Sequence, residues 1–199
     1  NEKQQLLRKR SRPKVLMATC YDEAVELYKR YSTNIIGVIS DIGFVLHKGD
    51  PSSSEKLDAG IDLCRLIRKE NPTMPFLMQS SQESMSSLAK QLKVGFVVKS
   101  SKTLTQEVSE YIEREFGFGD FIARDPRTGK EIARASDLEG FERIISTISA
   151  AAFRRLSDNN YLSKWLFARG LFSIGRPVSA LKIQDETDNE NICQIKIRP

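Results

Sequence analysis

Between residues 14 and 116, four short apolar runs alternate with four segments of helical period. No other feature limits the fold as much. The runs are "KVLMAT" (Lys14–Thr19), "NIIGVIS" (Asn34–Ser40), "PFLMQS" (Pro75–Ser80) and "GFVVKS" (Gly95–Ser100). They are short, rich in Val, Ile and Phe, and apolar at consecutive positions, as in strands covered on both faces. Between them lie "YDEAVELYKRY", "AGIDLCRLIRKE" and "SMSSLAKQL", with "TLTQEVSEYIEREF" after the last. Ala24, Val25, Leu27 and Tyr28 in the first, and Ile61, Leu63, Cys64, Leu66 and Ile67 in the second, recur at helical spacing. Strand and helix in strict alternation, with short connections, predict an α/β fold: a doubly wound parallel sheet with helices on both faces.

After Phe116 the pattern changes. "FIAR", the turn "DPRTG" and "KEIAR" predict a β-hairpin. "SDLEGFERIISTI" predicts a helix with Ser136 as N-cap and Glu139 closing a capping box. "SAAAFRRL" and "YLSKWLFARGLF" predict two more helices, the second burying Leu162, Trp165 and Leu166 in a docking contact. We therefore expect two parts, residues 1–116 and a hairpin-helical connector over 117–199. The last sixteen residues allow one further short strand, and "EKQQLLRKR" at the start suits the end of a helix.

Bulk properties remove several classes of function. The chain has 199 residues, 40 % hydrophobic and 29 % charged, an ordinary globular mixture. It has no apolar run of membrane-spanning length and no signal segment, so we expect a cytoplasmic protein with no membrane partner. Cys20, Cys64 and Cys193 are odd in number and far apart, which suits reduced thiols. His47 is the sole histidine, which argues against a His-rich metal site or a Ser-His-Asp triad. The net charge is +5, and the first fourteen residues carry all of it, with six cations against Glu2. A basic tail on a neutral body is a weak argument for nucleic acid. The first residue is Asn, and we expect a piece of a longer polypeptide.

Ligands of open α/β sheets sit at the carboxyl ends of strands. Asp41 ends the second run, Ser80 the third, and Lys99 follows "GFVV" in the fourth. Neighbouring strands are about 5 Å apart, so an acid, a hydroxyl and an ammonium can face one small volume. That set suits phosphoryl transfer: the carboxylate as nucleophile, the lysine and hydroxyl on the phosphoryl oxygens. The plain alternatives are an N-cap role for Asp41 or a structural Asp41–Lys99 ion pair. Phosphatases with an Asp-x-Asp pair are excluded by Gly43, which stands where the second acid belongs.

"VISDIGF", "MPFLMQSS" and "GFVVKSS", in this order, resemble the receiver domain of two-component response regulators. The resemblance covers residues 1–116 and implies a flavodoxin-like fold. It makes Asp41 the phosphoacceptor, Ser80 the switch hydroxyl, Lys99 the conserved lysine and Phe96 the switch aromatic. Gly43 would offer its backbone carbonyl, with Asp41, to Mg²⁺. The implied phosphate donor is a histidine kinase or phosphotransfer protein. "FGFGDFIARDPRTGKEIARASDLEGFE" and "NNYLSKWLFARGLFSIGRPVSAL" resemble bacterial proteins related to phosphoenolpyruvate synthase and pyruvate phosphate dikinase. There this region precedes a PEP/pyruvate-binding, ATP-using domain, which would be the second partner. This chain itself would be regulatory and not an enzyme.

Three features depart from the receiver pattern. Only 22 positions separate Thr19 from Asp41, too few for a strand-helix-strand-helix-strand path, since one βαβ unit takes about 30 residues. On the resemblance, "KVLMAT" would then be the second strand of the family's order, and we expect the first strand, with the acidic pair that holds Mg²⁺, upstream of Asn1. The family's Lys-Pro is Lys99-Ser100, and the loop after Asp41 is long. These departures support an alternative, a pseudo-receiver that acts as an interaction module, with a second copy among its candidate partners. A third reading is a DNA-binding regulator, in which Arg154, Arg155, Lys164 and Arg169 meet phosphates.

Overall fold

The computed structural model describes residues 13–180. It forms two compact units, divided between Tyr111 and Ile112.

The first unit is mixed α/β. Its elements are α1 (Tyr21–Tyr31), β1 (Val38–Asp41), α2 (Ala59–Glu70), β2 (Phe76–Ser80), α3 (Ser86–Gln91), β3 (Gly95–Val98) and the start of α4 (Leu104–Glu115). The three strands make one parallel sheet in the order β1-β2-β3. Asp41 stands opposite Gln79, and Ser80 opposite Val98. Side chains alternate between the faces. Phe76, Met78 and Phe96 enter a core with Tyr28 of α1 and Ile61, Leu63, Cys64 and Ile67 of α2. Leu77 and Val97 are buried on the opposite face. There Gly95 leaves room for the ring of Tyr111 in α4, which a Cβ would meet at 2.2 Å, and the Tyr111 hydroxyl donates to Phe76 O at 2.9 Å. Helices thus cover both faces.

The four expected helices form, with ends shifted by a residue or two, as is usual for helix termini. Two strand expectations are corrected. "NIIGVIS" becomes a strand only from Val38, where its N–H finds Pro75 O at 2.9 Å; Asn34 and Ile35 turn back onto Tyr31 O. "KVLMAT" is no strand at all. Residues 13–18 have no regular structure, and Val15 and Met17 are 79 % and 75 % exposed. A strand needs a ladder partner, and β1 pairs only with β2 among the described residues.

The second unit begins in the last turn of α4 and continues with β4 (Phe121–Arg124), β5 (Glu131–Ala135), α5 (Leu138–Thr147), α6 (Ala150–Asp158), α7 (Tyr161–Ala168) and α8 (Phe172–Ala180). The hairpin forms, and its turn is held by Asp125, whose Oδ1 accepts from Arg127 N, Thr128 N and Thr128 Oγ1. The N-cap of α5 is Asp137 instead of Ser136: its Oδ1 accepts from Gly140 N at 2.8 Å, and a carboxylate suits the positive end of the helix. "YLSKWLFARGLF" is two helices, because Gly170 takes φ +74 and ends the first. Leu162, Trp165 and Leu166 are buried, as a docking stripe requires. Phe141 stacks on Trp165 at 4.8 Å, and Phe121 meets both edge-on. The early helix end and the late strand expected from sequence lie outside the described residues.

Candidate functional site

Asp41 is the last residue of β1, and the sheet register decides its surroundings. Lys99 N donates to Ser80 O at 2.8 Å, which places Lys99 one step beyond β3 beside the end of β2. From there its Nζ reaches across β2 to Asp41 Oδ2 at 2.8 Å. Both side chains are about two-fifths exposed, 41 % and 38 %. The other carboxylate oxygen, Asp41 Oδ1, is buried and has no hydrogen-bond partner among the described residues. A buried acceptor left open is unusual, because its desolvation is uncompensated. It is the one oxygen of the pair still available for a bond to something else.

Ser80 lies one register step past the partner of Asp41, and its Oγ accepts from Gln82 N at 3.1 Å. The Ser80 hydroxyl proton is left to donate. Phe96 pairs with Met78 and is half-buried against the core, three residues before Lys99. Gly43 sits over the Lys56–Leu57 backbone, about 3.5 Å from where a Cβ would lie, and its carbonyl accepts no hydrogen bond among the described residues. Asp41 and Lys99 are therefore in direct contact, Ser80 is at the same sheet edge, and Phe96 belongs to the packing behind it.

The loop after Asp41 is braced at several points. Phe44 and Lys56 exchange backbone hydrogen bonds of 3.3 and 3.1 Å. Tyr21 N and Asp22 N donate to Val45 O and Leu46 O, which ties the loop to the start of α1. His47 Nδ1 lies 2.6 Å from Asp22 Oδ2, and that hydrogen bond, with the aspartate charge, raises the imidazole pKa above its ordinary 6.5. Lys56 Nζ pairs with Asp62, and at 3.6 Å with Asp58. The Lys56–Asp62 hydrogen bond raises the lysine's pKa and lowers the aspartate's.

Two neighbours of Asp41 were not singled out from the sequence. Ser40 Oγ donates to Asp41 O at 2.7 Å. Gly60, in the first turn of α2, donates its N–H to Ile42 O at 2.8 Å and lies against the Asp41 carbonyl. The available signal was a glycine inside a helical pattern, "DAGIDL", which often marks close packing.

The fit of a metal is limited. Asp41 Oδ1 and the Gly43 carbonyl are two oxygens of the hard type Mg²⁺ takes, but Mg²⁺ prefers a near-octahedral oxygen set. Among the described residues no group of three His, Cys, Asp or Glu side chains could hold an ion. These residues do not make a magnesium site by themselves. No described helix is long and apolar enough to cross a membrane.

The basic residues considered for DNA are largely engaged inside the second unit. Arg169 donates to Gly117 O, Gly119 O and Trp165 O, with its guanidinium 3.5 Å from the Trp165 ring. Arg155 donates to Pro126 O, and Lys164 lies over the Tyr161 ring. Comparison with protein-family models, with curated proteins and with solved structures found no match in any of the three.

Proposed function

We propose that the first unit is a receiver-like regulatory module and that Asp41 accepts a phosphoryl group from a histidine donor. The observation that carries this reading is the Asp41 carboxylate itself. One oxygen is held by Lys99 at 2.8 Å, and the other is buried without a partner among the described residues. In the step, an Asp41 oxygen attacks phosphorus, the P–N bond to the donor imidazole breaks, and the imidazole leaves with a proton from water. Lys99 offsets the charge of the phosphoryl oxygens, and the Ser80 hydroxyl donates to one of them. The product is an acyl phosphate on Asp41, and the proposed consequence is control of a PEP/pyruvate-binding domain elsewhere in the polypeptide.

The finer fold proposed is flavodoxin-like, with one more parallel strand along the outer edge of β1. Three observations support it. Val38 N and Ile42 N donate toward β2, so the alternation of a parallel strand turns the Ile39 peptide groups away from it. Ile39 is 40 % exposed. The apolar segment at Val15–Met17 leads through α1 into β1 without pairing to it. The added strand would bring the acidic residues that complete a Mg²⁺ site beside Asp41 Oδ1.

The test is phosphorylation of the full-length protein by a small phosphodonor with Mg²⁺, read by intact mass. One added phosphoryl group, absent in Asp41→Asn, is expected. No added mass, or an equal mass in the variant, overturns the reading. The braced loop after Asp41 favours a second reading, an interaction module that has lost phosphorylation. Partner binding that is indifferent to Asp41→Asn and to phosphodonor would support it.

A further inference from the structure

A glycine in the first turn of a helix weakens the helix relative to alanine. Gly60 has a reason to be there. A Cβ built on it would stand 2.1 Å from Asp41 O, 3.1 Å from Asp41 C and 3.1 Å from Ile42 Cα. All three are backbone atoms at the end of β1, so no side chain can swing away to make room. Gly60 N–H, meanwhile, donates to Ile42 O at 2.8 Å. The first turn of α2 thus rests directly on the peptide group of Asp41. Lys56 holds that turn in place. Its backbone pairs with Phe44, just beyond β1, while its ammonium pairs with Asp62 and Asp58 at the start of α2. The circuit runs from β1 through Phe44 and Lys56 to α2, and returns through Gly60 to Asp41.

We infer that Gly60 is a positioning residue for Asp41, with Lys56 securing it: the bare Cα lets α2 seat on the Asp41 carbonyl and so sets where the carboxylate stands against Lys99. This rests on Asp41 being the reacting group, but its geometric part is measurable without any phosphorylation. Filling the gap must displace either α2 or the end of β1. A misplacement on the order of 1 Å at a reacting group can cost about 100-fold in rate.

The experiment compares Gly60→Ala with Gly95→Ala in the full chain. Gly95 is equally tight, but its added Cβ meets the Tyr111 ring, away from Asp41. The first readout is the side-chain NMR resonances of Lys99. They should shift in Gly60→Ala toward their positions in Asp41→Asn, and stay at the wild-type positions in Gly95→Ala. The second is the rate of Asp41 labelling, expected to fall about 100-fold in Gly60→Ala alone. Unmoved Lys99 resonances in Gly60→Ala, or an equal shift in Gly95→Ala, would overturn the inference. Absence of labelling in the wild-type chain bears on the phosphoacceptor reading and leaves the resonance result decisive for Gly60. Should Gly60→Ala not fold, Lys56→Gln decides by the same resonances: a shift toward the Asp41→Asn positions supports the inference, and none overturns it.

Discussion

The two units solve opposite problems. The helical unit turns its aromatic groups and one arginine inward: Phe121, Phe141 and Trp165 form one cluster, and Arg169 folds over the indole. The α/β unit keeps charge at its strand ends and leaves apolar groups outside, with Val15, Met17 and Leu57 each at least 75 % exposed. In the first case arginine satisfies backbone carbonyls of the Gly117–Gly119 connector. In the second, a lysine and an aspartate meet at the carboxyl ends of the strands, and one carboxylate oxygen has no partner among the described residues. Aromatic stacking and guanidinium bonds make a closed core, although the Trp165 Nε1 at its centre is buried without a hydrogen-bond partner among the described residues. The α/β sheet instead has a β1 paired on one side only, and an acid with one unpaired oxygen, among the described residues.

The largest effect should come from emptying the closed core. Phe141→Ala removes the ring stacked on Trp165 and is expected to cost about 3–5 kcal/mol. Urea unfolding followed by the fluorescence of the single tryptophan measures it. A loss below about 1 kcal/mol would mean that the cluster contributes far less than its burial implies. Arg169→Ala comes next, at about 2 kcal/mol, since three carbonyls lose a charged donor. Arg169→Lys should recover little of that, because an ammonium cannot reproduce the fork or the stacking. The same melts with both variants decide the point.

At the α/β site the comparison predicts a much smaller change. Asp41→Asn or Lys99→Ala should shift stability by less than about 1 kcal/mol, because the pair is partly solvated. A fall as large as that of Arg169→Ala would show a structural ion pair and erase the contrast between the units. The smallest effect is at the loop after Asp41. The folded state raises the His47 pKa, so its contribution to stability is complete below pH 6.5 and fades as pH rises through the folded value. NMR titration of this single histidine should show a lower value in Asp22→Asn than in wild type, since Asp22 is the main cause of the rise. Equal values in both proteins would remove the His47–Asp22 contact from the bracing of the loop.

The strand ends carrying Asp41, Ser80 and Lys99 were legible because period and composition mark where each apolar run stops. The helices with clear stripes were legible for the same reason. The strand at Lys14–Thr19 was misread, since its residues favour a strand but find no ladder partner among the described residues. The N-cap of α5 was off by one because Ser136 and Asp137 both suit the position, and only the backbone conformation chooses. The long helix at Tyr161 was read through Gly170, where a positive φ breaks it.

The sequence by itself determined the alternation of strand and helix, the polar residues at the strand ends and the apolar faces, since these follow from local period and side-chain chemistry. The tertiary structure alone decided which runs became strands, that Lys99 reaches Asp41 across β2, and that Gly60 lies under the Asp41 carbonyl. Those contacts join residues far apart in the chain. Their distances are set by sheet register and helix seating, which depend on every partner in the fold at once.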